Sequence, residues 1–179
     1  MHTKVINLYG GPGTGKSTFS SLLYSTMKLK HMDVELVREY VKDWVWEGRT
    51  PSKWDQIYIA GKQTHKEAIL YNKVKYIITD SPYMLGAFYE MKFTKQDTVL
   101  SALLRFRSFA ENNDVKYVDV LLPRPEKYQS KGRYQSKKQA IKLDEELREF
   151  LHNNVFDFVE LPANLNQKQR INFVLKLLK

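Results

Sequence analysis

Residues 8–23 read LYGGPGTGKSTFSSLL. A short apolar run ends in glycine, four glycines fall within six positions, and Lys16, Ser17 and Thr18 follow at once. Residues 10–17 satisfy the phosphate-loop pattern of Gly, any four residues, then Gly-Lys-Ser, without a mismatch. Glycine lets the backbone turn with its N–H groups pointing inward, which makes a nest for anions. A helix that starts there adds unpaired N–H groups and its positive dipole end. Lys16 is placed to reach terminal phosphates, and Ser17 to offer its hydroxyl to Mg²⁺. Gly11, Gly13, Thr14, Gly15, Lys16, Ser17 and Thr18 are therefore the candidate mould for ATP with Mg²⁺. A glycine-rich turn that binds nothing is the plainer alternative.

The flanks fit a strand before the loop and a helix after it. Val5–Tyr9 is apolar and β-like, while Phe19, Leu22, Leu23, Thr26 and Met27 recur at helical spacing. Further on, strands are expected at Val34–Val37, Tyr76–Thr79, Val115–Leu122 and Phe156–Leu161. Helices are expected from Thr50-Pro51 to about Tyr71, over roughly Met84–Ala110, through the stripe Ala140, Leu143, Leu147, Phe150 and Leu151, and through Ile171, Val174, Leu175 and Leu178. Alternating strands and helices imply an α/β fold, a three-layer sandwich around a five-stranded parallel sheet. The whole chain, 1–179, reads as one domain.

The third expected strand, YIIT, ends in Asp80. Beside a phosphate loop this is where a Mg²⁺-organising aspartate sits. Ser17 and Asp80 are thus the candidate metal ligands, although Asp80 could instead cap the helix after Pro82.

Composition narrows the class. The chain has no cysteine, so disulfides and thiolate metal sites are excluded. No apolar stretch approaches a membrane span, and no secretory signal opens the chain, so a cytoplasmic protein is expected. Its four histidines are scattered and suggest no metal cluster. The net charge is +9. Six of those nine charges lie between Pro123 and Lys142, where Arg124, Lys127, Lys131, Arg133, Lys137, Lys138 and Lys142 face Glu126 alone. A basic surface of this kind is either merely solvated or suited to a polyanion. DNA is a plausible partner on this ground.

Four patches, GGPGTGKST, VELVREYVKDW, IITDSP and PRPEKYQSKGR, resemble the compact P-loop kinases of nucleosides, nucleotides and related substrates, small phage-encoded DNA-modification kinases and AAA-type ATP-binding proteins included. The resemblance spans most of the chain as architecture. It implies that Glu39, at the end of the second strand, activates the acceptor hydroxyl as general base, with Asp80 in reserve. The chain departs from that family in having Tyr40 where a proline usually follows the glutamate. The resemblance also makes residues of about 123–136 a lid, whose Arg124 and Arg133 would close over the phosphates. The acceptor would lie between the second strand and the helix from Pro51. Arg38, Trp54, Tyr58, Gln63 and Tyr83 are its candidate contacts; Trp54 and Tyr58 share a face by spacing and would stack a base, unless they simply pack the core.

An ATP-dependent kinase is expected, acting on a hydroxyl of a nucleic-acid-type substrate. The acceptor is either a nucleotide in DNA, such as a hydroxymethylated pyrimidine, or a free nucleoside or nucleotide. An ATP-driven remodelling or motor NTPase without a phosphoryl acceptor is the alternative. A switch GTPase lacks support, because no Asn-Lys-x-Asp motif is present. If the protein is phage-encoded, its compartment is the host cytoplasm.

Overall fold

The structure is a computed structural model that describes residues 2–125, 136–154 and 157–178. Five strands form one parallel sheet: β1 (Thr3–Tyr9), β2 (Val34–Val37), β3 (Tyr76–Thr79), β4 (Val115–Leu121) and β5 (Phe158–Glu160), in the order β2-β3-β1-β4-β5. The helices are α1 (Lys16–Leu29), α2 (Lys42–Trp46), α3 (Gln56–Ala68), α4 (Met84–Thr94), α5 (Thr98–Glu111), α6 (Lys137–Asn153) and α7 (Gln167–Leu177). Ile6 and Leu8 of β1 pack with Phe19, Leu23 and Met27 of α1 and Val174 of α7. On the opposite face, Tyr9 and Leu121 join Tyr83, Leu103, Leu147 and Phe150, from the turn before α4, from α5 and from α6. A parallel sheet covered on both sides explains why β3 reads as a mostly continuous apolar run and why β1 is buried on both faces. The expected three-layer α/β sandwich is the observed one.

Four boundaries differ from expectation. The helix expected from Thr50-Pro51 starts later: Ser52 caps a single 3₁₀ turn, Lys53–Asp55, through a reciprocal pair with Asp55, and α3 proper begins at Gln56 and ends at Ala68. The single helix expected over Met84–Ala110 is two. Lys95 adopts the left-handed conformation, at φ 61°, and α5 restarts at Thr98. Short helix α2 follows β2 and was not expected. Strand β5 is confined to Phe158–Glu160, and Phe156 lies outside the described residues.

The order 2-3-1-4-5 makes β1 the centre of the sheet. In open parallel sheets, ligands bind outside the carboxyl ends of the strands, where the connections diverge. Gly10 follows β1, Glu39 follows β2, Asp80 follows β3 and Arg124 follows β4. All four candidate segments therefore leave the sheet on one edge.

Candidate active site

Gly13 and Gly15 hold the loop in left-handed backbone, at φ 86° and 89°, which a side chain would strain. Gly15 opens α1 without a side-chain cap, so the first-turn amides keep their capacity for an anion. Thr14 Oγ1 donates to the Gly11 carbonyl at 3.0 Å and braces the turn. Lys16 Nζ donates to the carbonyls of Gly10 at 2.6 Å and Gly11 at 3.2 Å. Burial pushes this ammonium below its ordinary value, while the charges of Glu39, Asp80 and Asp144 pull it back up and Arg124 opposes them.

Asp80 is buried, and its Oδ1 accepts from the Glu39 N–H at 3.1 Å. The end of β3 thus fixes the start of the loop that carries Glu39. Glu39 itself is open to solvent but recessed among charged neighbours. Desolvation raises its pKa above the ordinary 4.5, Lys16 pulls it down, and Asp80 pushes it up again. Ser17, Thr18, Ser21, Arg38, Lys42 and Asp80 line one polar cleft of about 240 Å³. The two candidate metal ligands therefore face the same space, and Arg38 and Lys42 bring cations to it. Among the described residues no group of three or more His, Cys, Asp or Glu forms a metal cluster. A hydroxyl and a single carboxylate suit Mg²⁺, which takes few protein ligands and completes its shell with water and phosphate oxygens. A larger groove of about 430 Å³, between α3 and α5, is lined mostly by apolar and small side chains and includes none of these residues.

The candidate acceptor contacts divide. Tyr58 of α3 is half-exposed and shares a hydroxyl hydrogen bond of 2.8 Å with Tyr40. Its ring lies near-parallel to Trp44 at 6.5 Å, and the Arg49 guanidinium covers the Trp44 ring at 3.5 Å. Tyr40 and Tyr58 thus form an aromatic wall that begins next to Glu39 in the chain, backed by the buried Trp44; sequence reasoning assigned neither Tyr40 nor Trp44 a contact, although both stand in VELVREYVKDW. Trp54 is not part of the wall. It is 80% exposed, because the 3₁₀ turn that carries it precedes α3 and breaks the helical spacing that placed it beside Tyr58. Gln63 is buried, and its Oε1 accepts from the Tyr40 N–H at 2.9 Å, so it anchors the Glu39 loop. Tyr83 does not face an open acceptor site. Phe106 and Tyr117 meet its ring edge-on, and only 1% of it is exposed. Tyr89 of α4 was not foreseen either. Burial raises its pKa, and the charges of Glu39 and Asp144 push it further.

Arg124 is engaged at the phosphate loop. Its Nε donates to Asp144 Oδ2 at 2.5 Å, Nη1 to the Pro12 carbonyl at 3.0 Å and Nη2 to the Ala140 carbonyl at 3.0 Å. Asp144, on α6, also accepts from the Gly11 N–H at 2.7 Å. Nothing in the local sequence around Asp144, a run of Asp and Glu on a helix, marks it as a partner of the loop. Arg133, with Lys127 and Lys131, lies outside the described residues. Lys137 and Lys138 are exposed in the first turn of α6. No helix among the described residues is long and apolar enough to cross a membrane.

A model of the AAA domain family matches residues 5–169. Among solved structures, the deoxyadenosine kinase of M. mycoides with bound dATP is similar at a TM-score of 0.62 and 19% identity, over 99% of each chain. The APS kinase CysC of Mycobacterium tuberculosis gives a TM-score of 0.57 at 12% identity, also over 99% of each chain. The NadR protein in complex with NR gives 0.68 at 14% identity, over 97% of this chain and 51% of that one. No curated protein matches the chain in sequence. At these identities the likeness is one of fold, that of a P-loop kinase-like domain.

Proposed function

The chain belongs to the AAA domain family, and from that premise we propose that it is an ATP-dependent phosphotransferase. It moves the γ-phosphate of ATP to a hydroxyl of a nucleic-acid-type acceptor: a nucleotide in DNA, such as a hydroxymethylated pyrimidine, or a free nucleoside or nucleotide. One observation carries the reading. Glu39, just past the end of β2, is bonded through its N–H to Asp80 and lies close enough to Lys16 for their charges to act on each other, and the aromatic cluster of Tyr40, Trp44 and Tyr58 begins at the next residue. A base, a phosphate-binding cation and a stacking surface side by side are what transfer to a nucleoside-like hydroxyl requires.

In this reading the loop amides and Lys16 hold the triphosphate. Ser17 and Asp80 would hold Mg²⁺, which neutralises phosphate charge when bound. The Glu39 carboxylate accepts the proton of the attacking hydroxyl; its raised pKa brings it closer to a neutral-pH base than an ordinary glutamate. Arg38 and Arg124 bring positive charge to the phosphates, and Arg133 would join them from a lid of about 123–136 within a single domain, 1–179. The protein works where ATP and nucleotides are, in the cytoplasm.

The test is incubation with γ-labelled ATP and a panel of nucleosides, nucleotides, oligonucleotides and hydroxymethylated DNA. Label appearing in one acceptor class, and disappearing with Glu39→Gln, is the expected result. Steady ATP hydrolysis with no labelled acceptor would replace the kinase by an ATP-driven NTPase.

A further inference from the structure

The phosphate-loop pattern asks for glycine at positions 10 and 15 and leaves position 11 open. Gly11 is not among the glycines in left-handed backbone either. What position 11 lacks is room. A Cβ there would overlap Asp144 Oδ1 and come within 3.2 Å of Arg124 Nη2 and 3.4 Å of the Ala140 carbonyl. The second glycine of the pair therefore answers to a carboxylate that lies 133 residues away in the chain.

That carboxylate is used at both oxygens. Oδ1 takes the Gly11 N–H and Oδ2 takes Arg124 Nε, and Arg124 carries the link on to Pro12 and Ala140. The pair is largely withdrawn from water, with side chains 12% and 19% exposed. An anion that merely plugged the mould would take its lysine. Lys16 instead bonds the carbonyls of Gly10 and Gly11, and Asp144 grips the turn beside it.

We propose that Asp144 is a positioning residue of the phosphate site. With Arg124 it clasps α6 to the first turn of the loop, holding Gly11 and Pro12 in the shape that receives the triphosphate and keeping Arg124 beside it as a fixed strut. Helix α6 directly follows the basic segment after β4, so the clasp also ties the base of that segment to the nucleotide loop. The inference rests on the loop being a nucleotide site.

The test is the affinity of the full-length protein for a fluorescent ATP analogue with Mg²⁺, measured beside a thermal melt. Asp144→Asn keeps an oxygen for the Gly11 N–H but drops the charge that holds Arg124. It is expected to weaken binding about tenfold without a matching loss of melting temperature. A mutant cycle gives an independent reading. Gly11→Ala is expected to weaken binding about tenfold in the presence of Asp144 and less than about twofold in an Asp144→Ala background, where the collision is gone. Unchanged affinity in Asp144→Asn, or equal effects of Gly11→Ala in both backgrounds, overturns the clasp. Tighter binding in Asp144→Asn overturns it in favour of a plug. Wild-type protein that fails to bind the analogue brings down the nucleotide-site reading itself, and the clasp with it.

Discussion

Replacing Glu67 by glutamine separates the cost of a buried acid from the rest of the fold. Glu67 lies on α3 with no exposed surface. Its Oε1 accepts from the Tyr71 hydroxyl at 2.5 Å, and its Oε2 has no hydrogen-bond partner among the described residues. Burial lifts its pKa from 4.5 to about 8, with the Tyr71 hydrogen bond opposing and the Asp119 charge adding. The folded protein therefore binds a proton that the unfolded chain has released through this whole interval. Stability from this group is complete below pH 4.5 and is lost as pH rises, at about 1.4 kcal/mol per unit. Between about pH 5 and about pH 7.5 the loss amounts to roughly 3 kcal/mol, and near 5 kcal/mol by the upper end. Glutamine keeps the oxygen that Tyr71 needs and cannot titrate. Urea unfolding of both proteins at several pH values isolates the group, because every other titration cancels in the difference. Wild-type stability minus that of Glu67→Gln is expected to fall steadily across the interval. A flat difference would refute the argument and leave Glu67 ionised in a polar pocket.

Lys16→Ala is expected to abolish phosphoryl transfer, since the phosphates lose their nearest ammonium; label transfer at the wild-type rate would remove the loop from the mechanism. Glu39→Gln is expected to cut transfer by about 10²-fold or more with ATP binding intact. In the wild type, transfer should fall as pH drops through the raised pKa of Glu39, because the base must be ionised, and the variant should lose this limb; matching pH profiles would pass the base role to Asp80. Tyr58→Ala removes the half-exposed ring of the wall and should raise the KM for a nucleoside-type acceptor about tenfold, with the KM for ATP unchanged; equal effects on both would make Tyr58 a packing residue. Asp119→Asn takes from Arg107, only 13% exposed, the nearer of its two carboxylates, with Glu111 remaining at 3.2 Å, and should cost about 2 kcal/mol in urea unfolding; a loss under about 1 kcal/mol would mean water reaches the pair.

The phosphate loop and the end of β3 were legible because their chemistry is local. A handful of consecutive residues states the turn, the cation and the hydroxyl, and the alternation of strand and helix states the sheet. The acceptor side was legible only in part. Trp54 and Tyr58 sit four apart, and a helix from Pro51 would align them; the Ser52–Asp55 capping pair moved the helix start and turned Trp54 outward. The partners of Tyr58 are Tyr40, in the turn after β2, and Trp44, on a helix too short to show a period. The break after Thr94 was hidden because neither glycine nor proline marks it: Lys95 takes the left-handed turn, and Thr94 Oγ1 accepts from the Gln96 N–H. Tyr83 gave no local sign of its burial, which comes from Phe106 and Tyr117 in elements further along the chain. Asp144 was invisible for the same reason, since its two partners are a loop and a strand end that only folding brings to it.

The buried polar layer beneath the site explains how parts so distant in sequence hold one geometry. Asn7 of β1 stands opposite Asp119 of β4 in register, and its Nδ2 donates to Asp119 Oδ1 at 2.8 Å. Arg107 of α5 closes the pair through Nη2 at 2.7 Å to Oδ2. A desolvated ion pair of this kind is weak evidence for stability, because an apolar pair of the same volume often serves the core as well. What an apolar pair lacks is a fixed partner. Only one register lets the Asn7 amide reach Asp119, and a slip of one residue would send every side chain of β1 to the opposite face. In that register Tyr9 lies opposite Leu121, and the Leu122 N–H donates to the Tyr9 carbonyl at 2.9 Å. Gly10 leaves the sheet one residue after Tyr9, and Arg124 leaves it three residues after Leu121. The distance from Arg124 to Pro12 is therefore set two residues below, by a polar contact that specifies alignment at a cost in burial.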